Sequence, residues 1–269
     1  DNFSANTVTQ GLCEASLRGV TSHGIRLLPH YVNSALNGRK NPKPKFKFKK
    51  NFLSLGTLDA DNAFGHAAGV KALKYCQNMA KKTGVGIVAV KNSSHPGALA
   101  SIALPIAKKG YIVFAFTHAD SLLLSHNGKR PYFGTNPICF GVPTGKKAPF
   151  ILDTSMSIIN RGKIRVAAKT EKKIPKGVAL DKFGKPTTNA KKALQGVQLP
   201  IAGFRGSGLA WMVDILSGVF TGGNHGGKVK DPFDDFSGPQ NIGHLFIVMK
   251  SNLFVGNYSQ RIKENIKRI

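Results

Sequence analysis

A mixed α/β fold is what this sequence predicts, and three observations predict it. Apolar strand-like runs (VGIVAV at 85–90, YIVFAF at 111–116, HLFIVM at 244–249) are interleaved with segments of helical period. The two kinds do not alternate one for one, so a simple doubly wound parallel sheet is only one option. No Gly-x-Gly-x-x-Gly stands between a strand and a helix, the fingerprint of the standard dinucleotide fold.

The elements follow in order. The opening segment through Asn37 reads as helical, broken by a turn around Ser22-His23-Gly24. From Arg39 to Lys50, Phe46 and Phe48 alternate with lysines, the pattern of an exposed edge strand with one buried face. Asn62 is a candidate N-cap for a helix to about Lys82, ended by Gly84. Within it Cys76 shares a face with Val70, Leu73 and Met79, which points to core packing. A helix over 98–109 contains Pro105, expected to kink or break it. Short strands are expected at 138–142 and 150–152, joined by the turn-rich PTGKKAP. The next helix should start near Ser155 and run through Arg165, and 186–189 has helix-start character. The apolar stretch 206–220 (GSGLAWMVDILSGVF) is long enough for a buried helix, and the last residues form a basic amphipathic one. No internal repeat is visible.

With 269 residues, 41% of them hydrophobic, the chain can bury a core of one large domain or two packed ones. No run reaches membrane-spanning length, and DNFSANTVTQ does not read as a signal peptide. Three cysteines without Cys-x-x-Cys spacing argue against a disulfide framework or zinc site and for a reducing, cytoplasmic compartment. The balance of 39 basic against 13 acidic residues, formally +26, raises nucleic acid as a partner. The lysines are dispersed, however, so nucleic acid is unlikely from sequence and the field favours small anions such as a dinucleotide or a carboxylate.

The candidate chemistry lies in polar clusters at element ends, where rigid scaffolds place it. Ser22-His23-Gly24 occupies a turn, with Arg26, His30 and Tyr31 following. Ser93-Ser94-His95-Pro96-Gly97 follows a strand directly, a favoured active-site position in α/β folds. Either histidine can serve as a general acid or base, or be merely structural. His118 and His126 read as surface or supporting residues. Asp153, before Thr154 and Ser155, is an N-cap, a group orienting a histidine, or a ribose ligand. The run 203–208 (GFRGSG) leads into a helix and carries Arg205, a pattern suited to phosphate or to close helix packing. No His-x-x-x-His or carboxylate cluster suggests a metal; Asp231, Asp234 and Asp235 lie in a Pro/Gly loop of surface character.

In combination these motifs resemble the type 2 malate/L-lactate dehydrogenase family of NAD(P)-dependent oxidoreductases. The resemblance runs from LRGVTSHGIRLLPHY through DADNAFGHAAG, NSSHPGA, GTNP, LDTSMS, INRGKI, IPKGVALDKFGKPTTNA and GFRGSG to MVDILSGVFTG. It implies a mixed-sheet, non-Rossmann malate/L-sulfolactate dehydrogenase-like fold with a helical subdomain from both chain ends (1–60 and 221–269) and a mixed α/β cofactor-binding domain (61–220). It further implies a homodimer, NAD or NADP as cofactor, and hydride exchange with a small 2-hydroxy or 2-oxo acid.

Carried over by position, the resemblance implies catalytic roles for His23, His95 and Asp153. Ser22, Arg26, Tyr31 and Thr135 would contact substrate. His118, Ala119, Asp120, Gly134, Asn136, Thr154, Ser155, Arg205 and Gly206 would contact cofactor. Two departures bear on function. Leu27 stands where the family usually has arginine, one position after Arg26, and Arg205 replaces a lysine, which keeps the charge and changes the geometry. Family segments before the first residue and after the last, one with a cofactor contact, are not represented; truncation and missing segments are alternatives. The rival expectations are a polyanion-binding protein on this scaffold and an inactive family member.

Overall fold

The computed structural model describes residues 1–145, 148–232, 235 and 237–269. Lys146 and Lys147 of the expected 143–149 turn, and Asp234 of the acidic group, lie outside the described residues. The chain opens with helix α1 (Asn2–Leu17), capped by the Asp1 side chain, which accepts from the Ser4 amide at 2.7 Å. Two short 3-10 turns (Thr21–His23, Ile25–Leu27) lead into α2 (Leu28–Leu36), so the expected break falls at Ser22-His23-Gly24.

Seven strands form one sheet in the order β1 (Lys47–Lys50), β2 (Leu55–Asp59), β3 (Val85–Ser93), β11 (Ile242–Lys250), β4 (Tyr111–Thr117), β7 (Ile138–Val142), β8 (Phe150–Thr154). Only the β2–β3 pair is parallel; the rest are antiparallel. This is the mixed, non-Rossmann sheet the resemblance implied. The late strand β11 lies at its centre, hydrogen-bonded to β3 and β4, because VGIVAV, HLFIVM and YIVFAF are the most continuously apolar runs. Strands from 1–60, 61–220 and 221–269 therefore share a sheet. A smaller sheet orders β6 (Pro131–Phe133), β5 (Leu123–Leu124), β10 (Val197–Gln198) and β9 (Ala179–Leu180).

Helices α3 (Gly65–Thr83) and α4 (Leu99–Lys108) cover the sheet. Leu73, Cys76, Met79, Val88, Val113, Phe246 and Val248 make the main core, each large side chain contributing about 1.5–3 kcal/mol of burial. Close approach is built in at Gly86, where a Cβ would meet the Cys76 carbonyl oxygen at 2.1 Å. α3 ends at Gly84, as expected, in a left-handed conformation (φ 88°) that spares any Cβ clash.

Several expectations are corrected. Asn62 does not cap α3: with Asp61 it forms a left-handed turn (φ 56°), and the helix starts three residues later. Pro105 lies inside α4 without ending it. No helix begins at Ser155; α5 spans Arg161–Lys169, and Asn160 caps it by accepting from the Gly162 amide at 2.7 Å. Lys43 to Lys50 is the exposed edge expected, with Phe46 and Phe48 turned inward, but Arg39 and Lys40 are buried rather than solvated. Asn189 does start a helix, α6 (Ala190–Leu194).

The apolar stretch at 206–220 inverts the expectation most clearly. It forms α7 (Phe204–Asp214) and a following π turn (Ile215–Val219). Val213 is buried as expected, but so are the small or polar Gly206, Ser207, Ala210, Ser217 and Gly218, whereas Trp211, Ile215, Val219 and Phe220 are 59%, 41%, 55% and 69% exposed. The C-terminal helix α8 (Tyr258–Lys267) buries none of its residues. No helix among the described residues is long and apolar enough to cross a membrane.

Candidate active site

Two loops set the site. The Ser22-His23-Gly24 turn is tied to α1 through the Ile25 amide, which donates to Ser16 Oγ at 3.0 Å; a Cβ at Gly24 would displace that hydroxyl and break the tie. The loop after β3 is pinned to the start of α3 by Ser94, whose hydroxyl donates to the Ala63 carbonyl (2.9 Å) and accepts from the Gly65 amide (3.2 Å). These anchors bring the His23 and His95 rings into a stack, centroids 5.4 Å apart and planes 26° from parallel. Ser22 Oγ holds His23 Nδ1 at 2.9 Å, and the Tyr31 hydroxyl holds His95 Nδ1 at 2.7 Å. Each Nε2 is thereby the nitrogen left for a ligand.

His23 stands between two cavities. The first, of about 100 Å³, is lined by His23, His30, His95, Arg26, Arg161 and Arg165, with Ala119, Asp120, Thr135 and Asp231 completing its wall. The second, of about 430 Å³, is lined by Ser22, His23, Gly97, Asp153, Thr154, Ser155 and Lys163. Ser22, His23, Thr135 and Asn160 belong to both. Gly162 keeps the first one open, since a Cβ there would lie 3.1 Å from the Arg26 guanidinium.

Burial dominates the electrostatics. It pushes His23 down to about 4, Arg26 adding repulsion, and it holds His95 well below the usual imidazole range, with His23, Lys40, His66 and His30 acting the same way. Both histidines are neutral at pH 7. Asp120 is raised to about 7 by burial and then by Asp231, against the pull of Arg161 and Arg165.

Arg26 and Leu27 both line the first cavity, but only Arg26 brings a charge to it; Leu27 is buried and also packs with Val8, Leu12, Tyr31 and Phe64. Asp153 contacts neither histidine. Its Oδ2 accepts from the Ala100 amide at 2.7 Å and caps α4, and burial raises its carboxyl. The cap thus serves the preceding helix rather than the following one. His118 and Asn136 lie outside both cavities. His118 Nε2 accepts from the Gly243 amide (2.9 Å), and Asn136 bridges the Ala119 amide and the Ala210 carbonyl. Gly134 packs beneath Ala119. Arg205 is exposed, over the Phe204 ring, and it lines neither cavity, nor does Gly206. Asp120 lies in the first cavity, with the substrate candidates.

The sequence reading missed Arg161, Arg165, Asp231, His66 and Lys40. The two arginines carried a usable signal, since INRGKIR places them one helical turn apart on a capped helix. Asp231 faces the cavity instead of reading as plain surface. Among the described residues no group of three His, Cys, Asp or Glu side chains is placed to hold a metal.

A pair of neutral histidines, each hydrogen-bonded at Nδ1 by a hydroxyl and set beside a cluster of arginines, is suited to acid–base chemistry on an anion, with a second cavity adjoining. Residues 1–269 match the family described as malate/L-lactate dehydrogenase. The chain is 36% identical to malate dehydrogenase of Pyrococcus abyssi, over 98% of this chain and 75% of that protein. It is 31% identical to ureidoglycolate dehydrogenase (NAD(+)) of Escherichia coli (98% and 76%) and 30% identical to (2R)-3-sulfolactate dehydrogenase (NADP(+)) of Chromohalobacter salexigens (97% and 78%). Among solved structures, sulfolactate dehydrogenase of Methanocaldococcus jannaschii superposes with a TM-score of 0.90 at 34% identity, covering 99% of this chain and 77% of that one. The chain belongs to the malate/L-lactate dehydrogenase family. It is an oxidoreductase of the NAD(P)-dependent, 2-hydroxy acid type.

Proposed function

We propose that the first cavity binds a small 2-hydroxy or 2-oxo acid of the malate or lactate type, and that the second receives the nicotinamide end of NAD or NADP. The observation that carries this reading is the position of His23 and Thr135 in both cavities, with the arginines confined to the first. The hydroxyls of Thr154 and Ser155 and the Lys163 ammonium suit ribose and phosphate oxygens in the second. When bound, the cofactor exchanges hydride with the substrate α-carbon. Arg26, with Arg161 and Arg165, clamps the carboxylate, because fixing that group aligns the α-carbon. His95, fixed by Tyr31, transfers the proton of the substrate oxygen. His23 separates the reactants, and Asp153 holds the start of α4 at the cavity edge. A second reading exchanges the histidines, favoured by the presence of His23 in both cavities.

The direct test is oxidation of NADH and NADPH by the protein against oxaloacetate, pyruvate, sulfopyruvate, 2,3-diketogulonate and a cyclic imino acid. Turnover with one of them supports the reading. No turnover and no quenching of nicotinamide fluorescence would refute it in favour of a polyanion-binding role, read as tight, salt-steep nucleic-acid binding.

The exposed apolar side of Trp211, Ile215, Val219 and Phe220 supports a homodimer through this face, since monomers rarely expose contiguous patches of this kind. Three free thiols, two of them buried, suit a cytoplasmic setting.

A further inference from the structure

We propose that Lys40, Tyr31 and His95 form a proton relay in which Lys40 is the positioning residue, so that His95 donates from Nε2 as a neutral imidazole. The proposal rests on the reading of His95 as the proton-transfer group. Lys40 follows directly in the chain from the loop after α2, yet it is 1% exposed and its ammonium has no hydrogen-bond partner among the described residues. It lies 4.2 Å from the centroid of the Tyr31 ring and 5.9 Å from that of Phe64. The hydroxyl of the same Tyr31 ring is 2.7 Å from His95 Nδ1.

Among the described residues, the groups around this assembly are mostly cationic or neutral: His30 on α2, Arg39 beside Lys40, His66 on α3 and His23 stacked on His95. Asp231 faces His30 and binds Arg39 through its carbonyl oxygen. A cation on the ring face makes the phenol a stronger donor and opposes a second positive charge on His95. Both effects favour donation by Tyr31 to Nδ1, which leaves the imidazole proton on Nε2, toward the substrate cavity.

This arrangement answers a chemical difficulty. Burial keeps His95 from being an imidazolium near neutral pH, so it has no spare proton of its own. In reduction, the carbonyl carbon receives hydride from the reduced nicotinamide and the C=O π pair moves to oxygen. That oxygen takes the Nε2 proton and Nδ1 takes the Tyr31 proton; burial pushes the phenol up and opposes this, and the Lys40 ammonium over the ring face offsets it. After product leaves, water in the emptied cavity returns a proton to Nε2, and Nδ1 gives its proton back to Tyr31. Burial, followed by Arg39, lowers Lys40 to about 7, so the relay has its cation below that pH and loses it above.

The test uses ¹⁵N-histidine-labelled protein, with His95 assigned by loss of its signal in His95→Gln, and needs no turnover. Below pH 7 the wild type should show a protonated Nε2 and a bare Nδ1 at His95, and Lys40→Met should shift the population toward the other tautomer. Reduction of the 2-oxo acid should fall through about pH 7 in the wild type. Lys40→Met should be about tenfold slower below pH 7 without that step, at similar KM, and Lys40→Arg should recover part of the rate. A wild-type His95 protonated at Nδ1, or Lys40→Met with unchanged tautomer and pH profile, overturns the relay. The wild-type spectrum decides even if Lys40→Met does not fold, and a wild type that shows the tautomer but no turnover would refute the dehydrogenase reading alone.

Discussion

The His23 and His95 rings stack with centroids 5.4 Å apart, each with Nδ1 held by a hydroxyl, from Ser22 and Tyr31 respectively. His23→Gln and His95→Gln are therefore expected to behave differently despite their contact. His95→Gln should lower kcat by about 10²–10⁴-fold with nicotinamide affinity retained, the range for loss of a general acid or base. His23→Gln should weaken nicotinamide binding as well, because His23 lines both cavities. Single-turnover rates with fluorescence titration separate the two, and the reverse pattern would exchange their roles.

Arg26 and Leu27 provide a second contrast. Arg26→Gln should raise KM for the acid by about 10- to 100-fold, the worth of one charge-assisted hydrogen bond. Arg26 also lowers His23, so its removal raises His23 toward its ordinary value and brings protonation of His23 in at higher pH. The acid limb of any His23-dependent step should move upward by the same sign. Leu27→Ala should destabilise by about 2–5 kcal/mol through a cavity beside Tyr31 and Phe64, and should change KM less than Arg26→Gln, because Leu27 offers the substrate cavity no charge. Thermal melts and steady-state kinetics on both variants check this.

Lys40 carries a stability cost. Its folded value of about 7 lies below the unfolded 10.5, so the unfolded chain binds the proton more tightly. The cost is full below about pH 7 and fades as pH rises toward the unfolded value. Lys40→Met should consequently raise Tm, by up to about 4 kcal/mol of stability at pH 6 and little above pH 10. Denaturant titrations at the two pH values measure it; a pH-independent change would show that Lys40 is not desolvated.

The face made by Trp211, Ile215, Val219 and Phe220 should respond to charge. Trp211→Glu combined with Ile215→Lys is expected to convert a dimer to monomer in sedimentation equilibrium, with the helix retained by circular dichroism, because these side chains do not pack in the protomer's own core. A monomeric wild type would remove the dimer reading.

Sequence by itself determined much of this protein, where local chemistry has one outcome. The apolar runs at 85–90, 111–116 and 244–249 had to be buried strands, Gly84 had to end its helix, and Ser-His-Gly had to be a turn. The two histidine loops were legible for the same reason. Tertiary structure decided what depends on neighbours distant in the chain. Only the sheet order puts β11 between β3 and β4. Only packing turns Gly206, Ser207 and Ala210 of α7 inward and leaves Trp211 outside, so hydrophobicity alone misplaced them. Asp153 looked equally able to cap, orient or bind until the Ala100 amide arrived 2.7 Å away. Lys40 looked like one more solvated lysine in a basic stretch, and it is buried because the chain turns inward after α2 and lays it on Tyr31. Charge and periodicity are properties of a segment; burial, tautomer and proton affinity belong to the assembled environment, and those set the chemistry.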